Sequence, residues 1–182
     1  MKTETKRLIL RPFEEADYDD LFECLSQLER DEFEGYPGIT YENGREHLKY
    51  RIGSDEFYAI EFKETGKVIG NIYCGKRDFE AREVGYIVNK HYQRQGYAGV
   101  ALSAVIENAF RAGAHRVFAE CDPRNTPSWK LLERVGLKRE ARFKQNIFFH
   151  RDENGAPVWK DTLVYAIIAE DWRQARERTH VI

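Results

Sequence analysis

A chain of 182 residues, 42% hydrophobic, 13% aromatic and 33% charged, is long enough to close a hydrophobic core and suits one domain over residues 1–182. Its 29 basic and 31 acidic residues are mixed along the sequence and leave a net charge of -2, so no global field invites nucleic acid; an acidic ligand must be held by a local site. No window approaches the ~20 consecutive apolar residues that span a bilayer, and the first residues lack the apolar core of a signal peptide.

Three widely spaced cysteines, Cys24, Cys74 and Cys121, form no C-x-x-C pair and suggest neither a disulfide framework nor zinc. They are expected to be buried and inert, in a reducing cytoplasm. The five histidines, His47, His91, His115, His150 and His180, show no ligand spacing, so no metal is expected.

In chain order, residues 7–11 read as a short strand stopped by Pro12. A helix follows, with Leu21, Leu25 and Leu28 at helical spacing and Asp17, Asp19 and Asp20 near its positive end. Gly35, Pro37 and Gly38 mark a loop, and 40–51 a second short helix. Two alternating runs, 57–63 and 67–74, joined by Glu64-Thr65-Gly66, make a hairpin. In a strand over 82–89, Val84, Tyr86 and Val88 share one face. The clearest helix runs from Tyr97 to Arg111, with Ala98, Ala101, Leu102, Val105 and Ala109 as its stripe, and ends at Gly113. A strand over 116–121 comes next, then a helix over 127–135 with proline early and Gly136 just past its end. Two strands, 141–149 and 162–168, and a charged surface helix over 170–180 close one mixed α/β domain.

The informative stretch is the strand over 82–89, the turn His91-Tyr92-Gln93-Arg94-Gln95-Gly96, and the helix from Tyr97. Glycine at such a turn lets backbone approach a ligand. The first helical N–H groups have no internal partner and carry the positive end of the dipole. With Arg94 nearby, the turn suits a phosphate or diphosphate; it fits a plain chain reversal equally well.

Gln93-Arg94-Gln95-Gly96-Tyr97-Ala98 matches Q/R-x-x-G-x-G/A, the diphosphate-binding signature of GNAT acetyltransferases. Glu83-Val84-Gly85-Tyr86-Ile87-Val88 resembles that superfamily's fourth strand. Asp122-Pro123-Arg124-Asn125-Thr126-Pro127-Ser128, with Leu131-Leu132-Glu133-Arg134-Val135-Gly136-Leu137, resembles its N-x-x-S…G-F segment. The opening Thr5-Lys6-Arg7-Leu8-Ile9-Leu10-Arg11-Pro12 and the late Trp159-Lys160-Asp161 resemble the Rim-type branch, best known for acetylating N-termini of ribosomal proteins. Two positions depart from that branch: Val100 stands where a glutamate is usual, and Leu137 where phenylalanine is. Neither removes a backbone donor.

The resemblance implies a mostly antiparallel twisted sheet with splayed fourth and fifth strands, flanked by helices. It implies acetyl-CoA as co-substrate, with N–H groups of Gln95, Gly96, Tyr97, Ala98 and Gly99 around the diphosphate. Ile87 and Val88 pair with the pantetheine arm, and a backbone N–H beside them stabilises the oxyanion, an effect often worth ~3 kcal/mol. Asn125 binds pantetheine and Ser128 lies near the sulfur; both also fit plain helix capping. Glu120 on the fifth strand or Glu83 on the fourth is the general base, unless each is an ordinary surface carboxylate. Tyr165, Tyr92 and Ser128 are candidates for the general acid, though strand tyrosines commonly only pack. Acceptor choice falls to the first helical region and the final hairpin, including Phe57, Phe148, His150 and Trp159.

Three functions compete: a Rim-type protein N-terminal acetyltransferase, a small-amine acetyltransferase acting on a polyamine, amino acid or aminoglycoside, and a non-catalytic acyl-CoA-binding module. A dimer is common among relatives of the branch.

Overall fold

The computed structural model describes residues 2–28, 33 and 39–179, with side chains up to residue 177. The strands are β1 (Thr3–Glu4), β2 (Leu8–Arg11), β3 (Phe57–Phe62), β4 (Val68–Arg77), β5 (Ala81–Val88), β6 (Arg116–Cys121), β7 (Lys138–Ile147) and β8 (Lys160–Ile168). The α-helices are α1 (Tyr18–Ser26), α2 (Gly44–Ile52), α3 (Tyr97–Arg111), α4 (Thr126–Val135) and α5 (Ala169–Thr179).

All eight strands form one sheet in the order β1-β2-β3-β4-β5-β6-β8-β7. Every neighbouring pair is antiparallel except β5 and β6. Parallel strands need a crossover, and α3 supplies it. The expected mixed α/β fold with a mostly antiparallel sheet is present, and so is the splay of the two strands that the resemblance numbers fourth and fifth.

The alternation in β5 and β6 decides which side chain meets which layer. Val84, with Val117 and Ala119 of β6, enters the core built with Ala101, Leu102, Val105 and Ile106 of α3 and Leu132 of α4. Tyr86 and Val88 pack against the same core. The other face of the sheet meets α1 and α2 through Tyr18, Leu21, Leu25, Leu48, Ala59 and Val68. Because strand side chains alternate, Glu83, Gly85 and Ile87 turn toward this second layer; Phe118, the ladder partner of Glu83, and Glu120 share their side. Sheet and helices thus set α3 and α4 on one face of these two strands and α1 and α2 on the other.

Several boundaries differ from the periodicity reading. The β1 strand adds an edge that two residues could not announce by alternation. The β7 strand begins at Lys138, directly after the helix stop at Gly136 (φ +109). Its pairing with β8 shifts register near Glu140 and again between Phe143 and Ile147, which blurs the alternation there. The α2 helix starts at Gly44 rather than 40. The loop at Gly35, Pro37 and Gly38, and His180, lie outside the described residues. Cys24 is buried, while Cys74 and Cys121 are only partly so. Burial pushes the three thiols up to about 12, 11 and 11 respectively, so all are protonated near neutrality.

Candidate active site

The parallel ladder between β5 and β6 lasts only three pairs, Ala81 with Arg116, Arg82 with Val117 and Glu83 with Phe118. Beyond it β4 still holds β5 to Val88, and β8 holds β6 to Cys121. Each strand is anchored by its outer neighbour, so the two part into a V whose inner edges carry unpaired peptide groups. Such groups are costly when left unmet. An extended ligand with amides of its own can pair with them as an added strand. Ile87 and Val88 lie on this open edge of β5.

The V leads into the turn before α3. Asn89, fully buried, organises the approach: its Nδ2 donates to Glu23 Oε1 of α1 at 2.7 Å, and its Oδ1 accepts from Gln27 Nε2 at 3.1 Å and from the His91 N–H at 3.0 Å. Lys67 binds Glu23 and Asp20 at 2.8 and 2.7 Å, tying β4 into the network. Replacing Asn89 with alanine removes the partner of Glu23 and Gln27 at the end of α1 and of the His91 N–H in the turn, and leaves a cavity at a fully buried position. We expect a loss of about 2–4 kcal/mol, read from the urea midpoint, with weaker coenzyme binding from the loosened turn.

Within the turn, Arg94 (φ +62) and Gly96 (φ +83) both adopt the left-handed conformation. For arginine this costs roughly 1 kcal/mol, a strain that functional loops commonly retain. Gln93 Nε2 donates to Val88 O at 2.9 Å and Gln95 Nε2 to His91 O at 3.1 Å. The side chains therefore brace the loop and leave its main chain bare. The first helical bond is Val100 N–H to Gly96 O at 3.2 Å; the N–H groups of residues 95–99 find no acceptor among the described residues. Arg94 is exposed and pairs with no carboxylate there either. A groove of about 620 Å³ continues from Gly96 and Gly99 between α3 and α4, with Val100, Leu131 and Val135 in its wall and Arg134 beside it. A larger groove, about 700 Å³, lies at the far end of α3 against α5 and includes nothing from the turn.

At the β6 side of the V, Asn125 is the N-cap of α4, its Oδ1 accepting from Ser128 N–H at 3.2 Å. The capping bond is thus made, and Asn125 Nδ2 has no partner among the described residues. Ser128 Oγ is 2.9 Å from the Tyr86 hydroxyl, which also approaches Ser128 O at 3.2 Å. Tyr86 therefore reaches from β5 to α4. The alternation that put Tyr86 on the α3 face was its only sequence signal, and that signal says nothing about a bond 42 residues away. The Ser128 hydroxyl also tempers the upward push that burial gives the Cys121 thiol. Among the described residues no histidine is hydrogen-bonded to Ser128. Tyr165 is buried and donates to Glu133 Oε1 of α4 at 3.0 Å, and Tyr92 packs edge-on against Phe62, so both tyrosines are engaged in packing.

On the opposite face stand the two carboxylates. Glu83 is ion-paired with Arg77, whose guanidinium also meets the Tyr73 hydroxyl at 2.9 Å. Glu120 has no cation among the described residues. Partial burial first, and the charge of Glu83 second, push its pKa above the ordinary carboxylate value. Asp122, two residues beyond Glu120, is paired with Arg124 at 2.7 Å, and Asp161 at the start of β8 with Arg142 at 2.7 Å. Phe57 packs on Tyr73, centroids 4.9 Å apart, and Phe148 on Trp159 at 5.2 Å. His150 lies exposed in the β7–β8 connection. Phe143, Phe148, Phe149 and Trp159 keep 37–49% of their surface exposed, an apolar rim on that hairpin.

A V-shaped gap running into a turn of bare N–H groups is the arrangement the motifs anticipated, and comparison with known proteins decides the family. The acetyltransferase (GNAT) domain matches residues 7–138, more than half of the sequence. The chain belongs to the GNAT acetyltransferases. It is 30% identical over 178 residues to the uncharacterized N-acetyltransferase YnaD of Bacillus subtilis, covering 94% of this chain and 99% of that one. It is 27% identical over 154 residues to the [ribosomal protein uS5]-alanine N-acetyltransferase of Escherichia coli, covering 81% and 75%. A crystal structure of a GNAT-family acetyltransferase from Bacillus anthracis superposes with a TM-score of 0.84 at 29% identity, covering 93% and 99%. This GNAT enzyme is therefore an acetyl-CoA-dependent N-acetyltransferase with Rim-type relatives. Among its described residues no helix is long and apolar enough to cross a membrane, and no cluster of three or more histidine, cysteine or carboxylate side chains could hold a metal.

Proposed function

We propose that the V and the turn hold acetyl-CoA for direct attack by an α-amine, most naturally the N-terminus of a protein. The observation that carries this is continuity: the edge of β5 that β6 leaves after Glu83, closed only at Val88 O by Gln93, leads on to the bare N–H groups of residues 95–99. The fit is chemical as well as geometric, since pantetheine carries amides and its diphosphate carries charge. Acetyl-CoA supplies the thioester that the amine attacks, leaving an amide and free CoA.

The protein's own groups do the rest. Helix-terminal N–H groups and Arg94 hold the diphosphate. A free N–H beside Ile87 meets the charge that develops on the thioester oxygen. Asn125 Nδ2 is placed for the pantetheine arm. Glu120 accepts the amine proton, directly or through water. Ser128, backed by the Tyr86 hydroxyl, returns a proton to the leaving sulfur.

Charge and pKa favour an α-amine over a polyamine or lysine. An α-amine of pKa about 7.8 costs about 1 kcal/mol to deprotonate at pH 7, whereas a lysine at about 10.4 costs about 4.6. A polyamine needs several uncompensated carboxylates; among the described residues around the V, Glu83, Asp122 and Asp161 are each paired with an arginine, and Glu120 is the one without a cation. The apolar rim at Phe143, Phe148 and Trp159 suits peptide side chains. The test is incubation with acetyl-CoA and a panel of peptides, ribosomal proteins, lysine and spermidine, reading mass gain and the modified nitrogen. We expect acetyl groups on N-terminal nitrogens. Modification of spermidine alone would replace the acceptor with a small amine.

A further inference from the structure

The diphosphate signature lies entirely within residues 93–98, yet a residue far outside it reaches the same turn. Arg7, just before β2, donates from Nη2 to Gln95 O at 3.1 Å across 88 residues of sequence. Its guanidinium carbon sits 4.5 Å from the centroid of the Tyr97 ring, and Tyr97 is itself buried against Phe62. The same Nη2 lies 3.4 Å from where a side chain on Gly96 would begin. Backbone pairing fixes the base of this arm, because Arg7 O accepts from Lys63 N–H at 3.1 Å. No carboxylate offsets the charge among the described residues. A guanidinium can stack on a ring and donate in its own plane at once, which a lysine ammonium does not do.

We infer that Arg7 is a coenzyme-binding residue, a clamp that holds the Gln95–Gly96 peptide in its left-handed turn and turns its remaining N–H donors to the diphosphate. This rests on the reading of that turn as the acetyl-CoA diphosphate site. Arg7 and Arg94 then stand beside the bare N–H groups as two cations with no carboxylate partner among the described residues. At φ +83 any side chain on residue 96 would strain the backbone, and it would begin in contact with the clamp, 3.4 Å from Arg7 Nη2.

Calorimetric titration with CoA, at about 50 mM and about 500 mM salt, separates charge from structure. Arg7→Met keeps length and apolar bulk and should weaken CoA binding about tenfold at low salt. The deficit should shrink at high salt, and Arg7→Lys should recover part of the affinity with the salt dependence intact. Melting temperatures taken alongside report folding. Unchanged affinity in Arg7→Met, or a loss that ignores salt and is not recovered by lysine, overturns the assignment. Wild-type protein that binds no CoA, or Gly96→Asp that binds it normally, instead rejects the diphosphate site itself.

Discussion

Gly96→Asp should abolish measurable coenzyme binding, raising the Kd for CoA at least about 100-fold while the protein still melts cooperatively. Three effects act together. At φ +83 any L side chain is strained, by about 1–2 kcal/mol. The new carboxylate would lie beside Arg7 Nη2 and compete for the cation and the bare N–H groups that otherwise face phosphate. Any phosphate that still entered would meet a like charge. The turn is exposed and carries little of the core, so circular dichroism and the melting transition should change modestly. Gly96→Ala isolates the backbone term and should give an intermediate Kd. Normal CoA affinity in the aspartate variant would mean that the diphosphate lies elsewhere.

Glu120→Gln should lower kcat about 100-fold near neutral pH with little change in the KM for acetyl-CoA, and elevated pH should restore part of the rate by deprotonating the amine without help. In the wild type, the acid limb of kcat should fall at a pH above the ordinary carboxylate range, since burial and Glu83 both favour the protonated form. Glu83→Gln removes the second of these and should slide that limb to lower pH while leaving a working base. The raised pKa also has a stability consequence. Between the unfolded and the folded pKa the native state holds more proton than the unfolded chain, so stability falls as pH rises through that window. Glu120→Gln should therefore unfold at a higher denaturant concentration than wild type at pH 7, with the advantage gone at a pH below about 4. A base that costs stability where it works is the expected signature of a catalytic carboxylate. An unchanged pH profile would clear Glu120 of the role.

Much of the fold was legible because its signals are local. The stripe of Ala101, Leu102, Val105 and Ala109 announces α3, and all four are buried in the core it forms with the sheet. Proline early and Gly136 late bracket α4. Alternation in 82–88 separates Val84, Tyr86 and Val88 from Glu83 and Ile87. Gln93 to Ala98 announces the turn, since a helix N-terminus preceded by a positive-φ glycine is written within six residues. Where the signal is short or irregular, legibility fails: β1 is only two residues long, and the register shifts in β7 break its period.

The sequence by itself determined the helices, the strand faces and the bare-N–H turn, because helix caps, side-chain periodicity and glycine dihedrals depend on neighbours a few residues away. Only the tertiary structure decided that β5 and β6 part after Glu83 and Phe118, because the separation depends on which outer strand grips each one. Only it brought the Tyr86 hydroxyl to Ser128, left Glu120 without a cation among the described residues while Arg77 took Glu83, and laid Arg7 over Tyr97. Those relations join residues 6 to 90 positions apart, and no local pattern encodes which distant side chain arrives.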